Sequence, residues 1–268
     1  MSFSISGKTA IVTGAANGVG LAVGRHFAQA GANVMFADMD EKKLMEELDG
    51  PLDSGPIRYF AGDLRKRLTI ANLLSATIDA FDRVDILVNG SRQVITSEPL
   101  NPSADGMISL IDQNLMTPLR VSQAVAKRMI KQAEAEGNQE GCIGSIVNLS
   151  SIAAQRANPN LMALSVSTAA LDQMTRSFAI AVAPSRIRVN SVAFGSVMSA
   201  SLKTALKEDM DLRDQITAHT PLGRIASASE VVEAVQFLAS DSGSFMTGQV
   251  VTLDGGRTLL DPVAALAH

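Results

Sequence analysis

The chain has 268 residues, 46% of them hydrophobic and 19% charged, which is enough apolar material for a full core and excludes disorder, collagen and coiled coil. A net charge of −4 argues against a general nucleic-acid or anionic-membrane binder, because such surfaces are basic. The lone cysteine, Cys142, has no partner for an intrachain disulfide, and neither a secretory signal nor a membrane-length apolar run is visible, so a soluble cytoplasmic protein is expected.

Short β-branched runs alternate with longer helical patterns. Strands are predicted over 9–13, 33–37, 57–61, 86–88, 143–149, 188–192 and 250–253. Helices are predicted over 19–30, 41–48, 66–81, 104–132, 161–182 and 229–238, with a helical region over 201–218 and a glycine- and proline-rich loop over 50–56. Strands separated by helices imply right-handed crossovers, so the expected fold is a single α/β domain, doubly wound, with a seven-stranded parallel sheet. The helix over 161–182 is apolar nearly all round, and Arg156 is the only charge between Gly141 and Leu171. Such a helix packs against the sheet and also against something else, either more core or a second subunit.

The first strand runs into Thr13-Gly14-Ala15-Ala16-Asn17-Gly18-Val19-Gly20. Glycines at a strand-to-helix turn permit a tight bend and close backbone approach to a pyrophosphate, while the amides at the helix N-terminus hold its charge. Asp38 ends the second strand, 18 residues after Gly20, where an acid accepts hydrogen bonds from adenosine ribose hydroxyls and repels a 2′-phosphate. No arginine follows it at once, so NAD is favoured over NADP. Asp63 and Leu64, ending the third strand, fall where an adenine ring would lie, with a simple turn aspartate as the alternative. No metal site is predicted.

These motifs occur in order with DILVN at 85–89, Asn114, IVNLSS at 146–151, RVNSVAFG at 188–195, PLGR at 221–224 and TGQVVTLDGG at 247–256. Together the chain resembles the short-chain dehydrogenase/reductase family over nearly its whole length. The resemblance implies a Rossmann sheet, a nicotinamide cofactor, and a dimer or tetramer built on the long helices near 104–132 and 161–182. It implies cofactor contacts at Gly14, Asn17, Gly18, Val19, Gly20, Asp38, Asp63, Leu64, Asn89, Gly90, Gly195 and Ser199, and a lid over the substrate around 196–220.

The resemblance also implies a catalytic serine, tyrosine and lysine, with an asparagine supporting a proton relay. Ser151 matches the serine and Asn114 the asparagine. The tyrosine and lysine positions hold Leu164 and Thr168, and the chain's single tyrosine, Tyr59, lies on the third strand. Further departures fall in the same half of the site: the family's asparagine-asparagine-alanine-glycine turn is Asn89-Gly90-Ser91-Arg92, the proline before Gly195 is Phe194, and Ser199 stands where threonine is usual. Arg92 could stabilise an oxyanion or simply face solvent or a phosphate, and His219 could supply a proton or simply end a helix. Two readings stay open. One is an oxidoreductase with its standard relay lost, so that carbonyl or alcohol chemistry is slow, altered or absent. The other is a non-catalytic dinucleotide-binding sensor or partner subunit.

Overall fold

The computed structural model describes residues 3–48 and 54–261. Seven strands form one parallel sheet in the order β3-β2-β1-β4-β5-β6-β7: β1 (Thr9–Thr13), β2 (Asn33–Asp38), β3 (Ile57–Ala61), β4 (Ile86–Asn89), β5 (Gly144–Ser151), β6 (Ile187–Phe194) and β7 (Val250–Leu253). The strand order reverses between β1 and β4, which opens a crevice at their carboxyl ends.

Alternation along each strand sends successive side chains to opposite faces, and each face carries its own core. One core places Val12, Phe36, Val88 and Val192 under Leu21, Phe27, Val235 and Leu238, from α1 (Gly18–Gln29) and α9 (Ala228–Ala239). The other places Ile11, Met35, Leu87, Ile146 and Val189 under helices α3 (Arg67–Phe81), α5 (Thr117–Ala135) and α6 (Met162–Val182), through residues such as Leu73, Val125 and Ala179. Burying each large side chain fully contributes about 1.5–3 kcal/mol, so both covered faces are needed to hold the sheet.

Three sequence expectations are corrected. The helix over 104–132 is instead α4 (Met107–Ile111), a π-helical turn at Asp112–Met116, and then α5. It starts late because Gly106 caps it in a left-handed conformation, φ +68°. The region over 201–218 divides into α7 (Ala200–Glu208) and α8 (Leu212–Ala218), with extended Asp209 between them. β5 and β6 run two residues further than expected, to Ser151 and Phe194, because as central strands they keep pairing up to Ser151 opposite Phe194. The short helix α2 (Glu41–Glu47) is capped by Asp40, whose side chain accepts from the Lys43 amide. Of the loop predicted over 50–56, residues 50–53 lie outside the described residues. Among the described residues no helix is long and apolar enough to cross a membrane.

Candidate functional site

A cavity of about 460 Å³ lies at the carboxyl ends of the strands, over the β1/β4 reversal. The loops after β1 and β4 meet beneath it: a side chain at Gly14, φ +68°, would come within 2.6 Å of the Gly90 backbone. Thr13 fastens the two together, its hydroxyl accepting from the amides of Gly90 (3.1 Å) and Ser91 (3.2 Å).

Among the residues predicted from sequence, Gly14, Asn17, Gly18, Val19, Gly20, Asp38, Gly90, Gly195 and Ser199 all line this cavity. The first intrahelical bond of α1 runs from the Leu21 amide to the Asn17 carbonyl, so the amides of Gly18, Val19 and Gly20 belong to the turn without intrahelical acceptors. The Asn17 side chain makes no capping bond to this turn. Beyond Gly18 there is open space, with no atom within 4 Å of where a Cβ would stand. Asp38 accepts from the Ala16 amide at 3.0 Å and from the Asp40 amide at 3.2 Å, which ties the acid to the glycine loop.

Three other expected contacts do not line it. Asp63 holds the Arg65 guanidinium in a two-pronged pair at 2.8 and 3.0 Å, which lowers the Asp63 pKa and raises that of Arg65. Leu64 is buried in the core with Ile11 and Met35. The Asn89 side chain donates to Ser122 (3.0 Å) and to Asn148 (2.8 Å), making it a buried strut between β4, β5 and α5. Arg65 itself lines the cavity near Asp38 and Met39. An arginine therefore does border the Asp38 end; it comes from the loop after β3, a neighbour that only strand order reveals.

The residues matched to chemistry lie outside the cavity lining. The Ser151 hydroxyl accepts from the Ala153 amide at 3.2 Å. Asn114 is locked to Gln93, accepting from its amide (2.8 Å) and donating to its carbonyl (3.0 Å), with a further bond to Ser167 at 3.3 Å. Leu164 is 5% exposed and packs with Leu110 and Ala163. The Thr168 hydroxyl turns back into its own helix, donating to the Leu164 carbonyl at 2.7 Å. Tyr59 sits on β3 beside Phe36, on the far side of β2 and β1 from Ser151. His219 binds the Gln215 carbonyl through Nδ1 at 2.8 Å, closing its own helix.

The cavity lining also holds a pair that stands in the sequence only as departures from the family pattern, Arg92 and Phe194. The Arg92 guanidinium lies over the Phe194 ring, 4.5 Å from its centroid, with Nη1 3.4 Å from the Ser150 carbonyl. Protein crowded around it lowers its pKa to about 10, and the side chain keeps solvent-accessible surface, so it is a cation at neutral pH. A second cavity, about 330 Å³, lies at the amino ends of the central strands, but its charged groups are already engaged: Lys8 with Asp241 at 3.0 Å, Arg83 with Asp85 at 2.8 Å, and Arg188 with the carbonyls of Leu238 and Ser240.

Comparison with known proteins agrees with this architecture. Residues 14–258 match a family model described as enoyl-(acyl carrier protein) reductase. The chain is 32% identical over 260 residues to the 3-oxoacyl-[acyl-carrier-protein] reductase FabG of Thermotoga maritima, covering 95% of this chain and 99% of that protein. It is 31% identical over 268 residues to the oxidoreductase UcpA of Salmonella typhimurium, covering 97% and 98%. Among solved structures, gox2181 superposes with a TM-score of 0.85 at 30% identity, covering 97% of this chain and 98% of that one. A 7α-hydroxysteroid dehydrogenase complexed with NADH and 7-oxo glycochenodeoxycholic acid superposes with a TM-score of 0.84 at 28% identity, covering 95% and 96%. With a family model spanning the cavity and both flanking halves of the sheet, the chain belongs to the short-chain dehydrogenase/reductase family of oxidoreductases.

Proposed function

We propose that the chain binds NAD(H) across the β1/β4 crevice and that the family's tyrosine–lysine proton relay is lost in it. The amides of Gly18–Gly20 and the open space beyond Gly18 suit a pyrophosphate. Asp38 suits the adenosine ribose hydroxyls and disfavours a 2′-phosphate. Arg65 does not reverse that preference, because Asp63 already engages its guanidinium. When bound, the nicotinamide supplies hydride donation or acceptance. The Ser199 hydroxyl at the start of α7, with Leu202, borders the same end, and the segment 196–220 would cover it as a lid.

The observation that carries the loss is the pair of residues on α6. Leu164 has no proton to exchange, and the Thr168 hydroxyl is already bonded to its own helix. A positioned acid or base contributes about 10² to 10⁴ in rate, so carbonyl or alcohol oxidoreduction by the standard route is slow or absent. Arg92 does not replace the acid, since its Nη1 is turned to the Ser150 carbonyl and its guanidinium face lies on Phe194. The second reading, a dinucleotide-binding sensor or partner subunit, is favoured by a cavity lining that includes the Arg92–Phe194 stack and leaves Ser151 out.

Titration with NADH, followed by calorimetry or energy-transfer fluorescence, should give saturable binding below millimolar. No binding in that range would sink both readings. A screen of carbonyls and alcohols should find little turnover in the wild type and a gain of about a hundredfold or more in Leu164→Tyr/Thr168→Lys. Appreciable wild-type turnover would refute the lost relay.

A further inference from the structure

We infer that Arg92 makes the cavity selective for the reduced cofactor, its guanidinium disfavouring the cationic nicotinamide ring of NAD+ while tolerating the neutral ring of NADH. The inference rests on the proposal that the cavity binds NAD(H), and it goes beyond that proposal by assigning a charge-based preference to one residue.

The geometry gives the direction. A dinucleotide held by the amides of α1, with its adenosine ribose at Asp38 on the β2 side, must carry its second half over the ends of β4, β5 and β6. Arg92 reaches across those ends, from the loop after β4, past the Ser150 carbonyl of β5, to the Phe194 ring of β6. Among the described residues it is the only charged one lining that side of the cavity. No carboxylate neutralises it among the described residues. Asp172 faces Ser191 below the sheet ends, and Asp254 accepts from the amides of Gly256 and Thr258. Arg65, the other arginine of the lining, is already paired with Asp63.

Two effects then separate the cofactor forms. The ring of NAD+ carries a full positive charge, and the ring of NADH carries none. Two like charges about 6 Å apart at an effective dielectric near 20 repel by a factor on the order of one hundred in binding, and water in the open cavity reduces this to about tenfold. The Phe194 face, on which a cationic ring would otherwise stack, is already covered by the guanidinium. Attraction of Arg92 to the pyrophosphate would act on both forms alike and cannot produce the difference.

The test compares NADH, NAD+ and ADP-ribose, which lacks the nicotinamide ring, by calorimetry on wild type, Arg92→Gln and Arg92→Lys, with thermal melts confirming that each variant is folded. Wild type should bind NADH at least about tenfold more tightly than NAD+. Arg92→Gln should narrow that ratio several-fold, mainly through tighter NAD+ binding, while Arg92→Lys keeps it and ADP-ribose affinity changes little. An unchanged ratio in Arg92→Gln, or an equal weakening of all three ligands, would overturn the inference and leave dinucleotide binding standing. If neither NADH nor ADP-ribose binds wild type, the underlying proposal fails first. The preference would let occupancy follow the supply of reduced cofactor even when turnover is slow.

Discussion

Asp172, on α6, is a carboxyl 5% exposed beneath the site, with the Ser191 hydroxyl at 3.3 Å. Burial raises its pKa above the ordinary carboxylate value, and the Ser150 and Ser191 hydroxyls and the more distant Arg176 charge only partly oppose that. The folded state therefore holds this proton more tightly than the unfolded state. Asp172 costs no stability below the unfolded value of 3.8 and costs progressively more as pH rises through the raised folded pKa. Asp172→Asn keeps an acceptor for Ser191 and removes the buried charge. It should raise Tm at pH 7 to 8 and have little effect near pH 4, as read by thermal melts across that range; a gain largest at low pH would contradict it. The sequence shows an aspartate at this position, but nothing local says that it is buried. That follows from Leu171, Asp172 and Thr175 sharing the face of α6 that turns inward.

At the scale of elements, the π-helical turn at Asp112–Met116 explains both a boundary missed in the sequence and the position of Asn114. Pro118 has no amide to give to a carbonyl four residues back, so the ladder widens ahead of it, and the Thr117 hydroxyl bonds the Asp112 carbonyl at 2.9 Å. The widened turn holds Asn114 inward against Gln93. Pro118 is the local sign of that break in the sequence. The start of α9 was more legible: Ser227 with Glu230 three residues on is a capping pattern, and the Glu230 carboxylate accepts from the Ser227 amide at 2.8 Å while pairing with Arg224. The Arg224 hydrogen bonds, then the Ser227 amide, hold the Glu230 pKa down to about 2. Its stabilising contribution is complete above the ordinary value of 4.5 and fades as pH falls toward 2. Glu230→Gln should lower Tm modestly at pH 7, with the difference from wild type shrinking in acid. A difference that persists unchanged at pH 2.5 would argue against this cap.

For the whole molecule, α6 is an element with one face in the core and one face exposed. Its inward face is buried, while Val166 and Ile180 are 44% and 74% exposed, with Ala169, Gln173 and Ser177 between them on the outer face. Exposed Val166, Ala169 and Ile180 on this face, which also carries Gln173 and Arg176, are what a second subunit would bury, and we propose a homo-oligomer through α6 and α5 on that ground. Ile180→Glu should shift the species seen by light scattering toward monomer while leaving NADH affinity within about twofold, because Ile180 lies outside the cavity lining. A wild-type monomer at micromolar concentration would overturn the oligomer.

Local chemistry determined most of the plan. Period-2 and period-3.6 patterns specified seven strands and their helices, and the glycine turn with Asp38 identified the crevice end, because turns, caps and strand-to-helix junctions depend on residues close in the chain. The same sequence showed that α6 holds Leu164 and Thr168 and that Tyr59 is the only tyrosine. Only the tertiary structure decided that Leu64 and Asn89 belong to the core, that Arg65 is spent on Asp63, and that Arg92 stacks on Phe194. Asn89 with Asn148 and Arg92 with Phe194 join residues far apart in the chain, and sheet order sets which side chains meet there, whereas Asp63 and Arg65 are two residues apart and only their place beside Asp38 comes from the fold. A chain read residue by residue carries no such distances.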